Sequence, residues 1–261
     1  MTSNTGEGRV VIGLGSGRSG TASLASLIDQ QSGGLCFHEM NPSGTVFSGN
    51  PQSSLNTVTE FQAILAGGAR NHLSIDYSRP ASVATFQKLQ QMPAVRLLGD
   101  IGFYYLNYVE DILVRAPQCK FVCLRRDREE TVQSWLKKST IRRWRSLWLA
   151  DKLKSWLTRT PFYSEFNHWQ AHDGSEWMKD EVWDSCFPDI QAPTKEDAIR
   201  QYWDDYYHEA ERLQHARPEN FRIFDIADLS HEAGQQQILE FIGLDPEEIL
   251  SPGQLHLHRS N

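Results

Sequence analysis

The chain has 261 residues, 39% of them hydrophobic and 23% charged, and a formal net charge of −7. That length and apolar content suit a single α/β domain over residues 1–261, with a full core and no need of a second domain. The acidic balance argues against nucleic acid as a general partner; the polar start Met1–Glu7 does not read as a signal peptide, and no apolar run is long enough to span a bilayer.

The first element is an apolar strand, Val10-Val11-Ile12-Gly13-Leu14, which runs into Gly15-Ser16-Gly17-Arg18-Ser19-Gly20-Thr21 and then into the helix Ala22–Ile28. Glycines let such a turn point successive N–H groups inward, and a helix N-terminus adds partial positive charge and unpaired donors, so the natural occupant is an anion. Two phosphate-binding patterns apply. Gly15 and Gly20 have P-loop separation, but Thr21 stands where the lysine belongs, leaving Arg18 as the loop's cation. Gly15, Gly17 and Gly20 also satisfy G-x-G-x-x-G, with Glu39 near the place of a ribose-binding acid. A nucleotide kinase, a nicotinamide-dependent oxidoreductase and a non-catalytic nucleotide-binding module are all compatible with this loop.

The second strand, Gly34–Met40, carries His38 and Glu39 at its carboxyl end, beside the loop in an open parallel sheet. Neighbouring strand residues point to opposite faces, so one of the two faces a ligand, and either can cap the turn at Asn41-Pro42. Asn41 to Asn56 reads as a loop, Val58 to Ala66 as a helix, Val95 to Gly99 as a strand, and Tyr104 to Val114 as a helix. Asp100 then caps that helix or serves as a third acid–base candidate.

Lys120–Arg125 reads as a buried strand with Arg126 at its end. Asp127 and Glu130 form a D-x-x-E capping box opening the next helix, which places Ser134 on Asp127's face two turns on. Arginine and serine at the carboxyl edge of a sheet both donate to phosphate oxygens, which makes a second anion pocket. Trp135 to Thr160 holds eight cations against Asp151 alone, and all eight tryptophans fall between Trp135 and Trp203. Residues 136–195 therefore read as a helical, Trp-rich lid that covers a nucleotide or an acceptor, or as a solvated basic face with its tryptophans packed inward. His168, His172 and Asp173 are too few for a metal site, and none is expected. A helix from Thr194 buries Ile199, Tyr202, Trp203, Tyr206, Ala210 and Leu213 as a core stripe. Cys36, Cys119, Cys123 and Cys186 show neither metal spacing nor a disulfide framework, which fits a reducing cytoplasm.

The two anion pockets in this order resemble those of the sulfotransferase family. Gly15–Thr21 is similar to that family's loop for a 5′-phosphosulfate, and Arg126 through Ser134 to its pocket for the 3′-phosphate of 3′-phosphoadenosine 5′-phosphosulfate (PAPS). Phe221–Leu229 followed by Ile238–Leu244 is similar to its closing strand and helix. Arg18 in place of lysine lies nearer the carbohydrate, tyrosylprotein and bacterial branches than the cytosolic aryl branch. The resemblance implies a P-loop NTPase-like sulfotransferase fold, an open, mostly parallel sheet flanked by helices. It implies transfer of a sulfuryl group from PAPS to a hydroxyl or amine of a small molecule or glycan, without a metal. Gly15, Ser16, Gly17, Arg18, Ser19, Gly20, Thr21, Ala22, Arg126 and Ser134 would hold the donor. Arg18 would also gather charge on the leaving phosphate, and Glu39, ahead of His38, would be the base.

Overall fold

The computed structural model describes residues 8–42, 52–139, 153, 156–157, 190, 192 and 195–250. In chain order the elements are β1 (Arg9–Leu14), α1 (Thr21–Asp29), β2 (Gly34–His38), α2 (Gln52–Leu65), α3 (Pro80–Gln91), β3 (Leu97–Ile101), a 3₁₀ turn (Phe103–Tyr108) and α4 (Val109–Arg115). They continue with β4 (Lys120–Arg125), α5 (Arg128–Ser139), α6 (Lys195–Ala216), β5 (Phe221–Asp225), a second 3₁₀ turn (Ile226–Ser230) and α7 (Glu232–Phe241).

The described strands form one sheet in the order β2-β3-β1-β4-β5, and every pairing is parallel. Alternation along the strands explains the two layers. Val10, Ile12 and Leu14 of β1, with Phe121 and Cys123 of β4, face a core shared with α2, the first 3₁₀ turn, α4 and α6. Val11, Val122 and Leu124 face the other core, with α1 and α7. Strands buried on both sides read as continuous apolar runs, the usual mark of a parallel sheet. From β1 the chain leaves towards β2 on one side, and from β4 towards β5 on the other. The carboxyl ends of these neighbouring strands therefore flank the crevice where open α/β sheets bind ligands.

Several boundaries differ from expectation. Helix α2 begins at Gln52, inside the segment read as a loop. It is anchored by an apolar stripe, Val58, Phe61 and Ile64, packed into the core, while Thr57 and Thr59 donate their hydroxyls to the carbonyls of Ser53 and Leu55, at 3.1 and 3.2 Å. The helix expected over Tyr104–Val114 divides into a 3₁₀ turn and α4. Tighter winding lets the consecutive Tyr104 and Tyr105 both reach Asp100. Strand β3 lies two residues further along than Val95–Gly99, so Asp100 is a fully buried strand residue and not a helix cap. Strand β2 stops at His38 because Glu39 adopts a left-handed backbone, φ 53°. Helix α6 starts at Lys195 and buries Ile199, Tyr202, Tyr206, Ala210 and Leu213 of the expected stripe, whereas Trp203 is only partly buried against that core. Most of the basic, Trp-rich segment, with His168, His172, Asp173 and Cys186, lies outside the described residues.

Candidate active site

The loop after β1 is built by its glycines and by two tyrosines from α6. Gly17 has φ 79°, and a Cβ there would stand 2.4 Å from the Trp135 ring. Gly20, at φ 83°, is the N-cap of α1; it supplies no side-chain cap, and the first turn carries no acid. That helix end keeps its partial positive charge available to an external anion. Tyr206 accepts a hydrogen bond from the Gly15 amide at 3.0 Å and donates to the Phe103 carbonyl at 3.2 Å. Tyr207 donates to the Leu124 carbonyl at 2.7 Å, and the Ser16 hydroxyl lies 3.3 Å from its oxygen. Burial pushes the Tyr207 phenol up, so it stays a neutral donor. The Ser19 hydroxyl is buried without a partner among the described residues.

The second pocket meets the first. Arg18, at φ 58°, donates from Nε to Ser134 Oγ at 3.0 Å, and Arg126 donates from Nη1 to the Arg18 carbonyl at 3.3 Å. Trp135 seals the seam by donating from Nε1 to the Ser16 carbonyl at 3.3 Å, and Trp203 donates to the Arg126 carbonyl at 3.2 Å. Only half of the expected capping box forms. Asp127 Oδ1 accepts from the Glu130 amide at 2.9 Å, whereas the Glu130 carboxylate turns to Arg126 Nε at 2.9 Å. A charged partner outcompetes a backbone amide here because the charge-assisted bond is stronger.

At the end of β2 the two acid–base candidates separate. His38 Nε2 lies 3.0 Å from Thr21 Oγ1, which brings the imidazole against the start of α1. With a proton on Nε2, the ring donates to Oγ1 and leaves the hydroxyl proton free for an anion oxygen. Glu39 Oε2 accepts from Arg79 Nη2 at 2.9 Å, and both side chains are about three-quarters covered, at 28% and 27% exposure. A left-handed glutamate costs on the order of 1–3 kcal/mol and persists only where its surroundings hold it.

Asp100 does part of that holding. Its Oδ1 accepts from the Met40 amide at 3.1 Å, and its Oδ2 accepts from Tyr105 at 2.8 Å and Tyr104 at 3.1 Å. Burial raises its carboxyl above the usual range, opposed by these hydrogen bonds and by His38. Asp100 is thus enclosed beneath the turn and does not front the cleft.

All ten donor-site candidates and both base candidates therefore gather along the carboxyl edge of β1, β2 and β4. Arg79, Trp135 and the hydroxyls of Tyr206 and Tyr207 were not singled out from the sequence as site-building groups. Pro80, at the first position of α3, was the available signal for a helix start beside the site. Among the described residues no cluster of three or more His, Cys, Asp or Glu side chains could hold a metal ion. No helix among them is long and apolar enough to cross a membrane.

A family model described as "Sulfotransferase domain" matches residues 10–249. No curated protein matches the chain. Among solved structures, the sulfotransferase domain from the curacin biosynthetic pathway is 15% identical, with a TM-score of 0.43, over 95% of this chain and 79% of that one. A sulfotransferase from Alicyclobacillus acidocaldarius is 12% identical, with a TM-score of 0.42, over 94% and 84%. Mouse sulfotransferase SULT7A1, crystallised with PAP, is 13% identical, with a TM-score of 0.37, over 91% of this chain and 60% of that one.

Proposed function

Since the chain belongs to the sulfotransferase domain family, we propose that it transfers a sulfuryl group from PAPS to a hydroxyl or amine of a small molecule or glycan. The observation that carries this reading is the meeting of two anion-binding groups more than a hundred residues apart in sequence, Arg18 with Ser134 and Arg126 with the Arg18 carbonyl. One bound molecule with phosphates at both ends accounts for that convergence.

The roles follow from the chemistry of the step. As the acceptor oxygen bonds to sulfur and the bond to the bridging oxygen breaks, negative charge develops on the 5′-phosphate. Arg18, the amides of Ser19 to Ala22 and the Thr21 hydroxyl stabilise it. Gly15, Ser16, Gly17 and Gly20 shape the cradle. Arg126 and Ser134 take the 3′-phosphate, with Glu130 standing in for that anion in the free protein. Glu39 takes the acceptor proton: its Oε1 accepts no hydrogen bond from the described residues, whereas His38 is turned to Thr21. General base catalysis of this kind contributes roughly a hundredfold to ten-thousandfold in rate. A cytoplasmic location belongs to the same proposal and rests on the buried free thiols Cys36, Cys119 and Cys123.

Titration calorimetry tests the donor. Adenosine 3′,5′-bisphosphate should bind without magnesium and in preference to ATP or NAD. Arg126→Ala should weaken it roughly tenfold to a hundredfold, as expected for a lost charge-assisted bond. Affinity for adenosine 5′-phosphosulfate, which lacks the 3′ group, should change little. Equal losses for the two ligands, or a preference for magnesium-ATP, would refute the assignment.

A further inference from the structure

The end of β2 is clamped from three directions. The Glu39 amide donates to the Ile101 carbonyl at 2.9 Å, the Met40 amide donates to Asp100, and the Met40 carbonyl accepts from the Asp76 amide at 3.0 Å. Those bonds hold the backbone of a glutamate in the left-handed region, one of two non-glycine residues there among those described; the other is Arg18. A conformation this unfavourable persists only where the surroundings over-determine it, and such positions cluster at working sites.

The side chain is restrained as well, and from a different element. Arg79 is the N-cap of α3, its backbone fixed in extended form by the proline that follows. Its Nη2 donates to Glu39 Oε2, while its buried Nε has no partner among the described residues. Exposed ion pairs contribute little, but this one is mostly covered and both of its ends are anchored.

We infer that Arg79 is a positioning residue for the transfer step: it occupies Glu39 Oε2 and turns Oε1 towards the acceptor hydroxyl. The inference rests on Glu39 being the base. Among the described residues, Arg79 is the cation in direct contact with the carboxylate.

The test is kcat and bisphosphate affinity in Arg79→Gln and Arg79→Lys, with thermal unfolding to establish that each is folded. In Arg79→Gln, kcat should fall about tenfold or more, while affinity for adenosine 3′,5′-bisphosphate stays within about twofold. Arg79→Lys, which keeps a charged donor for Oε2 but loses the planar fork, should recover part of that kcat and not all of it. Wild-type kcat in Arg79→Gln, or a loss of bisphosphate affinity equal to the loss of kcat, overturns the inference. If Arg79→Gln does not fold, full kcat in Arg79→Lys overturns it, and a reduced kcat at unchanged bisphosphate affinity supports it. Glu39→Gln separates the two levels. Wild-type turnover there removes Glu39 as the base, whereas an inactive Glu39→Gln beside wild-type kcat in Arg79→Gln removes the Arg79 role alone.

Discussion

Asp100 illustrates how one buried carboxylate organises the edge of the sheet. It has no salt-bridge partner among the described residues and relies on three neutral donors, two of them tyrosine hydroxyls. Because burial raises its folded-state value above that of the unfolded chain, the folded protein binds more protons between the two values, and stability falls as pH rises through them. Asp100→Asn removes that titration. Urea midpoints measured from about pH 4 to about pH 8 should therefore fall with rising pH in wild type relative to the variant. Parallel profiles for the two proteins would show that Asp100 titrates at its ordinary value.

Among the helices, α6 does more than fill the core. Tyr202, Tyr206 and Tyr207 are buried, and the last two spend their hydroxyls on the loop and on strand carbonyls. Ion pairs tie the same helix to α5, which carries Ser134: Arg200 to Glu129 at 2.9 Å, and Arg128 to Asp204. The loop and the helix that carries Ser134 thus share one support. Tyr206→Phe leaves the Gly15 amide without its acceptor inside the protein, which should cost about 1–3 kcal/mol in urea unfolding. Calorimetry should also show weaker bisphosphate binding, since a loosened loop must be ordered again on binding. Wild-type stability and affinity in this variant would mean that the loop keeps its shape without α6.

For the molecule as a whole, the proposed donor bridges groups that the chain brings together from β1, α1, β4 and α5. A ligand that binds only the folded form should stabilise it by about 2.7 kcal/mol at a hundred times its Kd. For a chain of 261 residues that corresponds to a rise in Tm of roughly 5–11 °C. Adenosine 3′,5′-bisphosphate should produce this shift in scanning calorimetry, and Arg126→Ala should reduce it. A rise of the same size with adenosine 5′-monophosphate would mean that the Arg126–Ser134 side of the cleft adds nothing to binding.

The parallel sheet and the residues proposed for the two anion pockets were legible in the chain because local patterns mark them. Val10–Leu14 and the interior of β4, Phe121 to Leu124, carry no polar side chain, as expected of doubly covered strands, and Gly17 and Gly20 mark turns whose backbone disfavours a side chain. Asp127 likewise announces a helix start through its own hydrogen bond to Glu130. What local pattern does not encode is which distant group completes a contact. Arg79 reaches Glu39 across 40 positions and Tyr206 reaches Gly15 across 191, and nothing in either neighbourhood names its partner. Asp100 was misplaced for the same reason: an aspartate before a helix reads as a cap until three donors from folded neighbours surround it. Hydrogen-bond competition of this kind is resolved only when packing brings the alternatives within reach. Chain order thus specifies the strands, the glycine turn and the cations at the sheet edge. Folding selects which carboxylate is clamped, which is enclosed, and which hydroxyls hold the loop.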